Sequence, residues 1–203
     1  MHLSDGVASA PVLLVGSALA VLATARGLRE LSPERLPLAA LLAAALFVGG
    51  TIHVPIGVGS VHLVLNGLAG LLLGWVIFPV VLVGLALQAL LLSFGGFSVL
   101  GLNLLILALP GLLARAVVMP GLRRGRLDMA WAGGLVAAIA IFGSVTLTAM
   151  ALALSGGNAF RELIVLIGVA QLPILLVEIM VSALVLGMMA RAVPGLLQSV
   201  LER

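Results

Sequence analysis

The chain has no cysteine, no tyrosine and no lysine, and only 8% of its residues are charged. Without cysteine there is no disulfide framework, no thiolate site and no Cys-ligated zinc. A soluble domain carries roughly 25% charged residues. A chain this poor in charge has no polar coat to present to water, so a soluble globular domain is excluded. Disorder is excluded too, because it requires low hydrophobicity and high charge. Aromatic residues are sparse, at 4%. What fills the chain is aliphatic: 63% of its 203 residues are hydrophobic, and the mean hydropathy is +1.37.

A membrane-spanning helix needs ~20 mostly apolar residues. Seven such segments are predicted, at about 8–25, 37–52, 63–75, 79–93, 101–120, 129–154 and 163–190. The third and fourth form one apolar run, with a break expected near Gly74 and Pro79 because proline lacks a donor and clashes with the preceding turn. No basic residues precede the first segment, which is therefore expected to be a span and not a cleaved signal. The fold class expected is all-α: a polytopic membrane helix bundle of seven transmembrane helices, one transmembrane domain over residues 1–203.

The arginines orient the bundle. Arg26, Arg29, Arg35, Arg115, Arg123, Arg124, Arg126, Arg191 and Arg203 fall on one side if the helices alternate, and only Arg161 falls on the other. Cytoplasmic loops carry the excess of positive charge. The N-terminus is thus expected outside and the C-terminus in the cytoplasm, with the same arginines suited to anchoring lipid headgroups. On the outer side lie two Gly-rich stretches, 50–62 and 93–103. Irregular backbone at membrane depth is tolerated only where it is buried in protein or lines a polar site. The pair reads either as a site or as ordinary short turns.

All three histidines, His2, His53 and His62, fall on that outer side. His2 has a large side chain, so Met1 is expected to be retained. The Met1 α-amine, the backbone nitrogen of residue 2 and the His2 imidazole then close two small chelate rings on one metal. The amine, with a pKa near ~8, deprotonates readily on binding. The amide needs a strongly polarising ion, which favours Ni(II), Cu(II) or Co(II) over Mg(II) or Ca(II). A fourth nitrogen would complete a planar set that suits Ni(II) and Cu(II). His62 starts an apolar helix after the Gly-rich loop, a place for a ligand or for a helix-end histidine bonded to backbone. His53, before Pro55, equally suits an interfacial histidine facing water. Asp5 suits either an acceptor orienting His2 or the N-cap of the first helix.

Other polar groups lie within or beside spans: Gln88, Asn103, Gln171 and Glu178. Gln171 and Glu178 are seven apart and share a helix face. A carboxylate in a membrane is costly and points to function, with a hydrogen-bonded packing role as its alternative.

Several stretches resemble, in order, those of the CbiM/NikM family, the substrate-capture components of energy-coupling factor (ECF) transporters for cobalt and nickel. The opening Met1-His2-Leu3-Ser4-Asp5-Gly6 is similar to that family's MHIxDG or MHIxEG start. So are PIGVGSVH at 55–62, QALLLSFGGFSVLGLN at 88–103, where Ser98 replaces a Thr, and QLPILLVE at 171–178. The resemblance implies a seven-helix, N-outside protein whose N-terminus tucks into the bundle. It implies a metal site of Met1, His2 and His62. Asp5, His53, Asn103 and Glu178 are candidates for a supporting or relay role. The run Val61-His62-Leu63-Val64-Leu65 is more apolar than is usual in that family, and His53 matches no ligand of it.

The function implied is a membrane substrate-binding subunit of an ECF-type importer for Co2+ or Ni2+, in a prokaryotic (inner) cell membrane. Its partners would be a transmembrane coupling subunit, two cytoplasmic ATP-binding subunits, and a small accessory membrane subunit, separate or absent since the chain ends at Arg203. The lipid bilayer is the other partner, and no nucleic acid is expected. No GxxxxGK[ST] motif occurs, so the chain is expected not to be an enzyme. No catalytic residues and no cofactor are expected beyond the transported ion. Small residues of the first span, Gly16 and Ala20 with Ala18 and Ala23 nearby, suit a coupling surface or internal packing. The alternative functions are a passive channel or small-solute permease, which leaves the Met-His start unexplained, and an intramembrane hydrolase. For the latter, Ser60, Ser93, Ser98 and Ser144 supply no persuasive nucleophile–base pair.

Overall fold

The computed structural model of the chain describes residues 2–51, 53–56 and 59–202, of which 2, 53–56 and 59–61 are described as backbone. Aliphatic runs in hydrocarbon must satisfy every backbone N–H internally, which helices do. The principal helices are α1 (Ala10–Arg29), α2 (Leu36–Thr51), α3 (Asn66–Leu73), α4 (Ile77–Leu92), α5 (Leu100–Arg123), α6 (Met129–Gly156), α7 (Arg161–Ala192) and α8 (Pro194–Leu201). Their outward faces are apolar. Leu14 and Leu154 are each 72% exposed, which suits a lipid surround and not water.

Five helical runs are long and apolar enough to cross a membrane: Ala10–Arg29, Pro33–Thr51, Asn66–Leu92, Leu100–Arg123 and Met129–Ala192. The last folds back at Gly157, where φ is +56°. α6 and α7 then lie antiparallel, Gly133 against Ser182 and Ala130 against Gly187. Counted as two, they make six long apolar segments among the described residues.

The predicted third span, 63–75, is only partly helical. Its helix covers only the eight residues Asn66–Leu73, about 12 Å of rise against ~30 Å of hydrocarbon. The break is at Gly74, in a left-handed conformation with φ +60°, followed by a 3-10 turn over Gly74–Val76. Pro79 does not make it. That proline sits in the first turn of α4, where its missing N–H would have had no helical partner anyway.

All eight residues of α3 are buried. The helix is admitted by glycines: a Cβ on Gly67 would strike the Val136 carbonyl of α6, and one on Gly70 would strike Gly111 of α5. Close approach of small residues is how helices pack without a hydrophobic driving force. A polar knot fixes the depth of α3. Asn66 Nδ2 donates to Leu107 O at 2.8 Å and to Ser144 Oγ at 3.0 Å, and Ser144 Oγ donates to Ile106 O at 2.8 Å. Pro110, four residues after Ile106, has no N–H to offer that carbonyl. Ser144 supplies the missing donor.

Gly16 lies against Leu102 of α5, and Ala20 is 3% exposed. These small residues of the first span therefore serve internal packing.

At one end of the bundle the chain forms a three-stranded antiparallel sheet. Its strands are β1 (His2–Leu3), β2 (His53–Ile56) and β3 (Gly59–His62), in the order β1-β3-β2. Arg29 and Arg123 end α1 and α5 at the opposite end.

Candidate metal site

In the sheet His2 pairs with Ser60, and His53 pairs with His62. Residues directly opposite one another in an antiparallel pair share a face, and so do alternate residues along a strand. The register therefore puts positions 2, 53, 60 and 62 on one face of the sheet, with β3 between the other two strands. Across a strand pair, opposite positions are roughly 5 Å apart and diagonal ones ~7–8 Å. The backbone brings together three residues that are 51 and 9 positions apart in the chain. Met1 lies outside the described residues, as do the side chains of His2 and His53.

His62 is described fully and is 4% exposed. Its Nδ1 lies 2.9 Å from Leu63 O. A carbonyl oxygen only accepts, so in the neutral ring Nδ1 carries the proton and Nε2 is the basic, ligating nitrogen. Beside the ring is a cavity of about 10 Å³ lined by Leu46, Gln88 and Leu107 among others, room for about one water. Gln88 Nε2 donates to Leu46 O and Phe47 O, each at 3.4 Å, and its Oε1 has no partner among the described residues. Gln88 is the polar neighbour of the site that sequence reasoning noted without assigning. Its place at the end of an apolar span was the available signal.

The strands carrying the histidines are held by the predicted supporting residues, acting on backbone. Asn103, 2% exposed, accepts from Leu3 N at 2.8 Å and donates to Leu3 O at 2.9 Å. This carboxamide completes the free edge of β1 as another strand would. Glu178, fully buried on α7, accepts at Oε1 from Leu65 N at 2.7 Å and from Val64 N. Those amides lead into α3, whose first N–H groups have no helical partner. A carboxylate there also meets the positive end of the helix dipole. Leu65 itself is left-handed, with φ +54°, so the chain turns sharply between β3 and α3 where Glu178 grips it. Gln171 and Glu178 share the buried face of α7 with Ser182 and Leu186, as their spacing predicts.

Asp5 corrects one expectation. It is not the N-cap of α1; Ser9 holds that position. Asp5 instead ties the N-terminal segment to the second Gly-rich stretch. Its N donates to Gly95 O at 3.0 Å, and its Oδ1 accepts from Ser98 N at 3.2 Å and from the Ser98 hydroxyl. Gly96 makes room, since a Cβ there would strike the Asp5 carboxylate.

A multi-pass helical membrane protein that seats its first residues beside a buried histidine in its own bundle is thus defined by fold and site together. The comparisons make it specific. Residues 2–196 match the model of the CbiM family, described as the cobalt uptake substrate-specific transmembrane region. The chain belongs to that family, one of metal-transporter components of prokaryotic membranes and not a known enzyme family. It is 45% identical over 199 residues to a putative metal transport protein of Haemophilus influenzae, covering 96% of this chain and 95% of that one. It is 36% identical over 124 residues to the fused nickel transport protein NikMN of Rhodobacter capsulatus, covering 58% of this chain and 36% of that one. A crystal structure described as a transition metal transporter shares the fold, with a TM-score of 0.76 at 21% identity over 100% of this chain and 95% of that one.

Proposed function

We propose that this chain is the substrate-capture subunit of an ECF-type importer for Co2+ or Ni2+. In this reading it is one transmembrane unit over residues 1–203, with its N-terminus outside and its C-terminus cytoplasmic. The short α3 counts as the seventh crossing, its outer part completed by the strands. The Met1 amine, the backbone and imidazole nitrogens of His2 and Nε2 of His62 bind the ion. The observation that carries the reading is the register, which sets positions 2 and 62 on one face of the sheet. His53 sits directly across from His62 and serves as a relay. Asn103, Glu178 and Asp5 hold the strands.

A coupling subunit, two ATP-binding subunits and, where present, a small accessory subunit would drive release. The fused NikMN relative supports a membrane component acting alongside this one. A passive channel would have no need of Leu3 and its strand held inside the bundle.

The test is an N-terminal extension. Protein with a native N-terminus should bind Ni(II) or Co(II), and the same protein carrying one extra residue before Met1 should stay folded and lose that binding. Full-affinity binding by the extended protein would overturn the chelate.

A further inference from the structure

At the end of the bundle opposite the sheet lies a recess of about 540 Å³. One wall is basic, formed by Arg35, Arg115 and Arg123, with Glu30 the one acid among the lining residues. The other wall is apolar, and its Leu113 is 53% exposed on the outer face of the bundle. Trp75 lies at the recess with Arg26 stacked on its ring, 5.7 Å from the centroid. Tryptophan marks the level where hydrocarbon gives way to headgroups.

The guanidiniums are positioned by backbone. Arg115 donates to Leu71 O and, at 3.3 Å, to Val200 O; Arg123 Nε donates to Leu201 O at 2.6 Å; Arg35 donates to Leu73 O at 2.5 Å and Glu30 O at 3.0 Å. These carbonyls lie at or just past the C-terminal ends of α1, α3 and α8. An arginine has five N–H donors in a planar fork, so Arg115 and Arg123 keep most of theirs. Among the described residues neither meets a carboxylate, and Glu30 is already paired with Arg26 at 3.0 Å. Arg115, partly desolvated by burial, feels the like charges of Arg123 and Arg35 against the one opposite charge of Glu30. Three fixed arginines facing one acid, which is itself paired with Arg26, leave an excess of positive charge beside an apolar wall open to the bilayer, and that combination suits an anion with an acyl tail.

We propose that this recess binds the phosphodiester headgroup of an anionic phospholipid. Arg115 and Arg123 fork onto the phosphate oxygens, a geometry that guanidinium favours. The glycerol and upper acyl chain lie along Leu113 and Ala116. The inference is independent of the metal reading, since the recess is at the other end of the molecule.

Native mass spectrometry of the full chain in detergent tests it, with phosphatidylglycerol, phosphatidylcholine or inorganic phosphate titrated in. Phosphatidylglycerol should be retained and phosphatidylcholine not. Arg123→Gln, at an exposed position, should weaken phosphatidylglycerol binding about fivefold, from ~1 kcal/mol per interfacial arginine. Arg126→Gln removes the same charge outside the recess and should cost less than about twofold. Ala116→Trp fills the apolar wall with all charges kept and should weaken retention as well, and thermal unfolding should show each variant folded. Equal losses in Arg126→Gln and Arg123→Gln would reduce the effect to diffuse attraction and overturn the site. So would displacement of the lipid by millimolar phosphate, which would make it a free-anion site. No phosphatidylglycerol retention, with Arg123→Gln instead releasing a co-purified subunit, would assign the recess to a protein and overturn the proposal.

Discussion

Asn103→Ala removes both hydrogen bonds that the carboxamide makes to Leu3, at 2.8 and 2.9 Å. Leu3 is 1% exposed, so its N–H and C=O would be left in a dry interior. Two net hydrogen bonds are worth about 2 kcal/mol, and the desolvation of stranded partners raises this toward ~4 kcal/mol. The loss falls on the docking of β1, a strand of two residues with few other attachments. If metal binds only the docked form, the apparent Kd rises by the inverse of the docked fraction. With docking of so short a strand near balance before metal binds, the predicted loss of Ni(II) or Co(II) affinity is about 30-fold to ~1,000-fold. The helices begin only at Ala10, so far-ultraviolet circular dichroism should be unchanged. Competition against a chelator of known affinity, on protein with a native N-terminus, reads the effect. A folded Asn103→Ala protein that binds within threefold of wild type would refute the reasoning, because it would show that capture does not require the strand in place.

His62→Ala should cost far more metal affinity than His53→Ala, by the same competition assay; the reverse order would move the site to β2. Glu178→Ala strands the Val64 and Leu65 amides and should lower stability by about 2–4 kcal/mol and metal affinity with it. Glu178→Gln keeps an acceptor and should largely rescue both, and equal damage in the two variants would show that charge matters and not the acceptor. Every ligand must shed a proton before it binds, so affinity should fall as pH drops, first through the amine range near ~8 and then through the imidazole range near ~6.5. Calorimetry in buffers of different ionisation enthalpy should show protons released on binding, and a pH-independent affinity between pH 8 and 6 would contradict nitrogen ligation.

Much of the bundle was legible because hydrocarbon leaves the backbone few choices. The apolar runs mark the long helices to within a few residues. Gly74 marks a real break, and the spacing of Gln171 and Glu178 marks a real face. The short third helix was not legible. Its length is set by Gly67, Gly70 and Asn66 finding partners on α5 and α6, which no local pattern displays. The sheet was hidden for the same reason. A two-residue strand has no periodicity, and β1 exists because Ser60 and Asn103 flank it. At the site, the residue types were readable and their mode of action was not. Asn103 and Glu178 are of types suited to a supporting role, and the structure has both bind the backbone beside a histidine. Asp5 has the composition of a helix cap, but its partner is Ser98, 93 residues along the chain.

The sequence separations at the site impose an order on its making. His2, His53 and His62 all lie within the first 62 residues of the chain. The groups that grip their strands come later: Ser98 and Asn103 at the start of α5, and Glu178 in α7, the last at a separation of 114 residues from Val64. Contacts so distant along the chain form late. During synthesis, a chain that has inserted only α1 through α4 holds every imidazole and none of the groups that position them. His53 and His62 share their face through the local pairing of β2 with β3, but β1 gains its Asn103 partner only once α5 is made, and the turn after His62 gains Glu178 only with α7. A truncated or stalled chain would thus leave its N-terminal residues unmoored, however complete its first helices are.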